Sequence, residues 1–322
     1  MCSVIGLGTW AIGGEWKMGW GPQDEQDSFD AISESLDLGI NWIDTAPAYG
    51  FGRAEEVIGK FLRMRTERPL LATKCGILND GSGNPTYSLR QKSIEREVEA
   101  SLRRLGLDCI DLYQIHWPKP DEEVEEGVYT LQRLKERGLI RWAGVSNFSV
   151  QQLERAKTIG EVASLQPPYS LLNRGIEQDT FSWCRNEQLG VITYSPMECG
   201  LLAGKFSRAW VESLPPTDWR KARWGAVRTP NYFAEPELSA LEQFTDSLKE
   251  IAARRERPMS QLVINWVLRR PEVTATIVGA RKKGQIAETA KATEWSLTAE
   301  ELDEIERTYQ SYQKSMGRDG AS

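Results

Sequence analysis

Eight short runs of β-branched and apolar residues recur along the chain with amphipathic stretches between them. This alternation constrains the fold more than any other feature. The runs read as strands at 4–7, 41–43, 70–73, 110–115, 140–145, 164–166, 191–194 and 273–278. Ile94, Val98, Leu102 and Leu105 fall at helical spacing, as do Val124, Val128, Leu131 and Leu134, and so do Leu238, Leu241, Phe244, Leu248 and Ile251. Strands that alternate with helices point to a parallel sheet wound in one direction. Eight such units close into a (β/α)8 TIM barrel of the α/β class, for which 322 residues is an ordinary length with insertions.

No Pro/Gly-rich linker divides the chain, so one domain is expected over 1–322. A long insertion at about 198–236 follows the seventh strand and is expected to lie over the barrel mouth. A last amphipathic stretch (Leu302, Ile305, Tyr309, Tyr312) precedes a Gly- and Ser-rich tail at about 315–322, expected to fray. The first strand starts almost at residue 1, so no obvious segment plugs the bottom of the barrel.

Composition narrows the function. There are 40 Lys+Arg against 46 Asp+Glu, a net charge of −6, and both signs are scattered, which argues against a nucleic-acid or membrane-surface partner. No apolar run reaches the roughly 18 residues of a membrane span. No basic segment followed by an apolar one opens the chain, so no signal peptide is expected. The five cysteines are odd in number, widely spaced and form no C-x-x-C pair. That pattern suits reduced thiols and a cytoplasmic enzyme better than disulfides or zinc. The acidic run Asp121-Glu122-Glu123, with Glu125 and Glu126, reads as the start of the fourth helix, where carboxylates complement the dipole.

In a β/α barrel the working residues sit at the C-terminal ends of the strands. Those ends carry Asp44 and Tyr49 after the second strand, Lys74 after the third and His116 after the fourth. Each has a structural reading alone: a turn cap, a packed loop residue, a solvated lysine, a core histidine. At three adjacent strand ends they converge, and convergence favours chemistry. An ordinary phenol, with a pKa near ~10, is a poor acid at neutral pH. Lys74 beside it is expected to lower that value, with Asp44 holding the ammonium in place. His116, the one histidine, is placed to donate to an oxygen gaining negative charge. A proton donor and an oxyanion donor on one oxygen suit carbonyl reduction. No side chain delivers hydride, so a nicotinamide or flavin is required.

The later strand ends look like the cofactor's berth. Ser146, Asn147 and Gln166 suit a carboxamide, and Tyr194 offers a face for a nicotinamide ring. Gly200, Gly204 and Lys205 suit a pyrophosphate. Arg281, Lys282 and Lys283 precede a helix and suit a ribose 2′-phosphate, although a solvated basic turn would look the same. Gly6-Leu7-Gly8-Thr9-Trp10-Ala11 meets a loose dinucleotide-binding fingerprint. Gly13-Gly14 fall where its helix should run, so the segment reads as a loop.

These residues resemble the aldo-keto reductase family from Gly6 to about Ala292. The most specific pieces are Asp44-Thr45-Ala46 with Tyr49-Gly50, Ala72-Thr73-Lys74, Gln114-Ile115-His116, Gly144-Val145-Ser146-Asn147-Phe148 and Leu201-Leu202-Ala203-Gly204-Lys205. The resemblance is nearest to bacterial aldehyde- and sugar-reducing members. It implies a catalytic tetrad of Asp44, Tyr49, Lys74 and His116, and NADPH as cofactor. It places the cofactor on Gly8, Thr9, Trp10, Asp44, Ser146, Asn147, Gln166, Tyr194, Ser195, Pro196, Gly200, Leu201, Gly204, Lys205, Gly279, Arg281, Gln285, Glu288 and Thr289. Three features depart from the family. Members usually begin with a hairpin under the barrel, and this chain begins where that hairpin would end. Glu288-Thr289 stands where Glu-Asn is common, and Glu198-Cys199 where small or basic residues are.

Trp16, Trp20, Trp117 and Trp224 are expected to line the pocket for a small carbonyl or alcohol, with Trp210, Trp219, Tyr232 and Phe233 on the insertion packing it or lining it. Two other functions fit parts of the pattern. One is an NADPH-bound redox-sensing regulatory subunit with little turnover. The other is a lyase in which Lys74 forms a Schiff base, which leaves the cofactor residues unexplained. Whether the protein is a monomer or a homo-oligomer is open at this level.

Overall fold

The computed structural model of the protein describes residues 2–221 and 230–318. By their contacts the residues fall into two compact units. The first comprises Met1–Pro168, Gly175–Tyr194 and Glu272–Ala287, and the second Tyr169–Arg174, Ser195–Pro271 and Glu288–Ser322.

The first unit holds the whole barrel. Its strands are β1 (Ile5–Gly8), β2 (Trp42–Asp44), β3 (Leu70–Cys75), β6 (Ile110–Ile115), β7 (Ile140–Ser146), β8 (Ser164–Gln166), β9 (Gly190–Thr193) and β10 (Val273–Gly279). Every pairing is parallel, and β1 closes the ring by pairing with both β2 and β10. All eight expected strands are present, with ends displaced by two residues at most. Between β3 and β6 lies an antiparallel hairpin, β4 (Ile77–Asn79) and β5 (Pro85–Tyr87), that the sequence pattern does not announce. Its strands are three residues long and largely exposed, so neither alternation nor burial marks them.

Helices cover the outside of the ring through single apolar stripes. In the helix Gln91–Leu105 the buried residues include Ile94, Val98, Leu102 and Leu105, and Gly106 ends it in the left-handed region at φ 71°. The helix Glu25–Asp37 starts on Asp24, whose carboxylate accepts from the Gln26 and Asp27 amides. Ser149 and Gln152 form a reciprocal capping box before the helix Val150–Ile159. Gly59 allows two helices to touch. A Cβ there would stand 2.0 Å from the Arg104 carbonyl oxygen.

The bottom of the barrel is filled from within. The Trp42 indole packs with Ile192, Ala275 and Ile277, and Cys2 and Leu112 lie against that cluster. Gly6 makes the room, since a Cβ there would lie 2.2 Å from the ring. The indole N–H donates to the Ser3 carbonyl at 2.8 Å, and the Ser3 amide donates to Asn41 Oδ1 at 2.8 Å. Trp42, with Cys2 and Ser3 against it, therefore fills the lower end of the ring.

Among the described residues the second unit includes the helices Arg208–Ser213, Glu237–Arg254, Met259–Leu268 and Ala299–Ser315. Phe244 stacks on Tyr312 at 5.2 Å between ring centroids, and Tyr169 lies 5.2 Å from Trp266. Met259–Leu268 is buried on nearly every side, which is why no amphipathic period marks it. Of the expected insertion and tail, 222–229 and 319–322 lie outside the described residues.

Candidate active site

Side chains alternate along a strand, so Trp42 and Asp44 face the same side of β2. Trp42 fills the lower interior, and Asp44 stands one layer above it. Asp44 is 2% exposed and Lys74 is wholly buried, an environment that an unpaired charge cannot tolerate. The Lys74 ammonium has three N–H donors and three acceptors. It donates to Asp44 Oδ1 at 2.6 Å, to the Thr45 carbonyl at 2.9 Å and to the Tyr49 hydroxyl at 3.3 Å. Tyr49 receives a hydrogen bond, which leaves its own proton to give. Thr9 fixes the backbone beneath, because its amide and hydroxyl both donate to the Asp44 carbonyl, at 3.0 and 2.9 Å.

The His116 ring meets the Tyr49 ring edge-on, with centroids 5.9 Å apart. Burial pushes the imidazole well below its ordinary pKa, and the Lys74 charge adds to the effect. His116 is thus neutral at physiological pH, with one N–H to donate. For Tyr49 the structure corrects the sequence-level expectation. Burial drives the phenol well above its ordinary value, and the Asp44 carboxylate pushes the same way. The ammonium does not win, because Asp44 neutralises it at 2.6 Å. Tyr49 is a protonated phenol held ready to donate. Burial also lowers the Lys74 pKa, against the opposing pull of Asp44.

The four residues expected to hold a nicotinamide form one network with the tetrad. Gln166 Nε2 donates to Asp44 Oδ2 at 2.8 Å. The Ser146 hydroxyl donates to the Gln166 carbonyl at 2.8 Å. Asn147, at φ 63°, donates through Nδ2 to Ser146 Oγ and to the His116 carbonyl, both at 2.9 Å, and its Oδ1 accepts from Tyr194 OH at 2.8 Å. Carboxamides, a hydroxyl and an aromatic face at consecutive strand ends match a nicotinamide. Nearby, Gln114 Nε2 and Thr45 Oγ1 are buried without a hydrogen-bond partner.

The other expected cofactor residues are divided between the units. In the first, Gly8 and Gly279 are paired neighbours in β1 and β10, and Trp10 opens a short 3-10 turn, Trp10–Gly13. The α-helix that a dinucleotide fingerprint needs begins only at Glu25, as the reading of a loop requires. Gln285 Oε1 accepts from the Arg281 and Lys282 amides at 2.7 and 3.0 Å.

In the second unit, Ser195 (φ 57°), Gly200 (φ 99°) and Gly204 (φ 87°) have left-handed backbones. Pro196, Leu201 and Thr289 are buried there, and Lys205 is exposed. Glu198 is buried and accepts from Ser170 at 3.0 Å, and Glu288 accepts from the Ser260 hydroxyl at 2.9 Å.

Of the expected substrate residues, Trp16 lies against Phe51 (5.6 Å) and Trp20 against Trp10 (5.7 Å). Trp117 is exposed, with the Lys119 ammonium 5.5 Å from its ring, and Trp224 lies outside the described residues. Among the described residues no cluster could hold a metal ion, and no helix is long and apolar enough to cross a membrane.

A closed parallel barrel with such a site is the frame of an oxidoreductase that works on a carbonyl or its alcohol. Residues 4–310 match the aldo/keto reductase family, and the chain belongs to it. The chain is accordingly an NAD(P)H-dependent oxidoreductase. It is 33% identical over 305 residues to the NADH-specific methylglyoxal reductase of Escherichia coli, a match covering 90% of this chain and 89% of that one. The solved glycerol dehydrogenase of Gluconobacter oxydans superposes with a TM-score of 0.86 at 35% identity, covering 97% of this chain and 92% of that one. An aldo-keto reductase from Klebsiella pneumoniae, solved with NADPH, superposes at 0.71 and 28% identity, covering 96% and 91%.

Proposed function

We propose that this protein reduces a small aldehyde or ketone to its alcohol, reversibly, with NADPH as the hydride donor. The observation that carries the proposal is the Tyr49 hydroxyl, protonated and 3.3 Å from an ammonium whose other two N–H groups are taken by Asp44 and Thr45. Bound NADPH would supply hydride. Ser146, Asn147 and Gln166 would hold its carboxamide, and Tyr194 would lie against its ring. Tyr49 places its proton at the carbonyl oxygen, and neutral His116 donates a second hydrogen bond to it. That oxygen gains negative charge as the carbonyl is reduced, so both donors bind the transition state more tightly than the ground state. Lys74 and Asp44 fix the phenol. With all three N–H groups engaged, Lys74 is not disposed to form an imine.

The Klebsiella relative binds NADPH and the Escherichia relative is named for NADH, so the nucleotide preference of this chain rests on its own Arg281 and Lys282. Five widely spaced cysteines, all free thiols, support a cytoplasmic enzyme.

The test follows NADPH oxidation with methylglyoxal, glyceraldehyde, an aryl aldehyde and a bulky ketone, in wild type and Tyr49→Phe. The variant keeps the ring and loses the proton donor. Turnover is expected to fall by roughly 10²–10⁴-fold with NADPH affinity unchanged. Tight NADPH binding without Tyr49-dependent turnover on any carbonyl would instead favour the redox-sensing subunit.

A further inference from the structure

Arg281 was expected to face a phosphate, but most of its guanidinium is turned to the protein. Nε donates to Gln23 Oε1 at 2.8 Å, Nη1 to the Trp20 carbonyl at 2.8 Å and Nη2 to the Pro22 carbonyl at 2.7 Å. Gln23 Nε2 returns a bond to the Arg281 carbonyl at 2.8 Å. Two of these acceptors are main-chain carbonyls of a segment with no helix or strand, between the 3-10 turn ending at Gly13 and the helix starting at Glu25. That segment carries Trp16 and Trp20. Another long-range polar tie of the segment, Lys17 Nζ to Asn84 Oδ1 at 2.9 Å, is exposed. Trp16 Nε1 is buried without a partner, a donor that a substrate oxygen would satisfy.

A guanidinium has five N–H groups, so two remain after the three bonds to the segment. Arg281 also lines a cavity of about 460 Å³, together with Pro22, Gln23, Asp24, Asp27 and Lys282. Lys282 is already paired with Asp27 at 3.2 Å. The hydrogen-bond acceptors of Arg281 are an amide oxygen and two carbonyls, with Asp27 acting on its charge through space, so an anion entering this cavity meets the same planar group that grips the segment.

We infer that Arg281 is a positioning residue: it holds the segment 16–23 that carries Trp16 and Trp20, and so couples nucleotide binding to the carbonyl pocket. The carbonyl half of this inference rests on the reductase reading above; the hold on the segment does not. Because the fork is planar and rigid, a phosphate on its two remaining N–H groups fixes its orientation, and with it the Trp20 and Pro22 carbonyls. A nucleotide lacking the 2′-phosphate leaves that orientation to the segment alone.

Two variants separate the roles. Gln23→Ala removes the clasp and leaves Arg281 in place; Arg281→Lys keeps a positive charge and loses the fork. Hydrogen–deuterium exchange of peptides spanning 14–24 is measured in the free protein and with saturating NADPH or NADH. Nucleotide affinities and the carbonyl kcat and KM are then determined. Both variants are expected to exchange about fivefold faster or more in 14–24, the loss of one or two hydrogen bonds, and to raise the carbonyl KM by a similar factor; for Gln23→Ala, which touches no cofactor residue but Arg281, kcat should change little. Gln23→Ala should leave NADPH affinity within about twofold, a loss smaller than one hydrogen bond. In wild type, NADPH should slow exchange in 14–24 more than NADH does.

Unchanged exchange in both variants, or equal protection by the two nucleotides, would overturn the inference and leave Arg281 at most a phosphate reader. Exchange needs no turnover. Faster exchange in a protein that reduces no carbonyl would defeat the reductase reading and leave the hold on the segment standing.

Discussion

Lys74 and Glu97 are two buried ionisable residues met by opposite means. Lys74 keeps its charge because Asp44, the Thr45 carbonyl and Tyr49 accept its three N–H groups. Lys74→Met would leave the Asp44 carboxylate buried with no counter-ion, at a cost of about 3–5 kcal/mol. Urea unfolding should show that loss, and Asp44→Asn in the same chain should recover part of it. Glu97 has no comparable cation beside it. Its carboxyl accepts from the Gly76 amide at 2.9 Å and from Ser93 at 3.3 Å, and burial pushes its pKa up to about 8, with Glu55 adding to the rise and the Gly76 and Ser93 bonds and Arg104 opposing it. The folded state then keeps a proton that the unfolded chain releases near pH 4.5. Stability contributed by this group should fall as pH rises from about 4.5 to about 8, by at most ~1.4 kcal/mol per pH unit. Glu97→Gln keeps the acceptor for Gly76 and removes the titration, so the gap between variant and wild type should widen across that window. A gap independent of pH would refute the assignment.

The grouping of these side chains was legible because strand ends in a barrel carry inward residues at one level, so three consecutive ends are enough to place Asp44, Lys74 and His116 together. The sign of the Tyr49 shift was not legible. It depends on how completely Asp44 cancels Lys74 and on burial, and sequence spacing records neither. Gln23 escaped notice altogether, since its partner lies 258 positions away and nothing local marks the pair.

At the scale of elements, Gly59 sets two effects against each other. Alanine in a helix interior is favoured over glycine by about 1 kcal/mol. The new Cβ would press on the Arg104 carbonyl at 2.0 Å, and overpacking against backbone costs about 1–3 kcal/mol. The clash should win, so Gly59→Ala is expected to lower stability by up to about 2 kcal/mol, read as a lower Tm; a rise would mean that the two helices slide apart freely. Elements with a period were readable from sequence, as the strands and the helix Gln91–Leu105 show. Elements without one were not. Met259–Leu268 is buried on nearly every side, and the strands Ile77–Asn79 and Pro85–Tyr87 are too short and too wet to show alternation.

For the whole molecule the five cysteines provide a simple check. None is in a disulfide, so a reducing agent should leave Tm unchanged and the denatured chain should titrate five thiols. In the native protein Cys75 and Cys184 are buried and burial raises both thiol pKa values, that of Cys184 to about 11. An aromatic disulfide reagent should therefore count no more than three before unfolding, and five at once would contradict the packing around β3.

The closure of the ring has a further consequence, for storage rather than catalysis. An open sheet ends in two strands whose free amides and carbonyls invite pairing with another molecule. A ring in which β1 pairs with both β2 and β10 has no such terminus. Among the described strands, unpaired borders remain only on the hairpin, each three residues long, and Pro85 removes a donor from one of them. Concentrated solutions of this protein offer little template for fibril growth from the folded state, and loss of soluble material on standing should track unfolding.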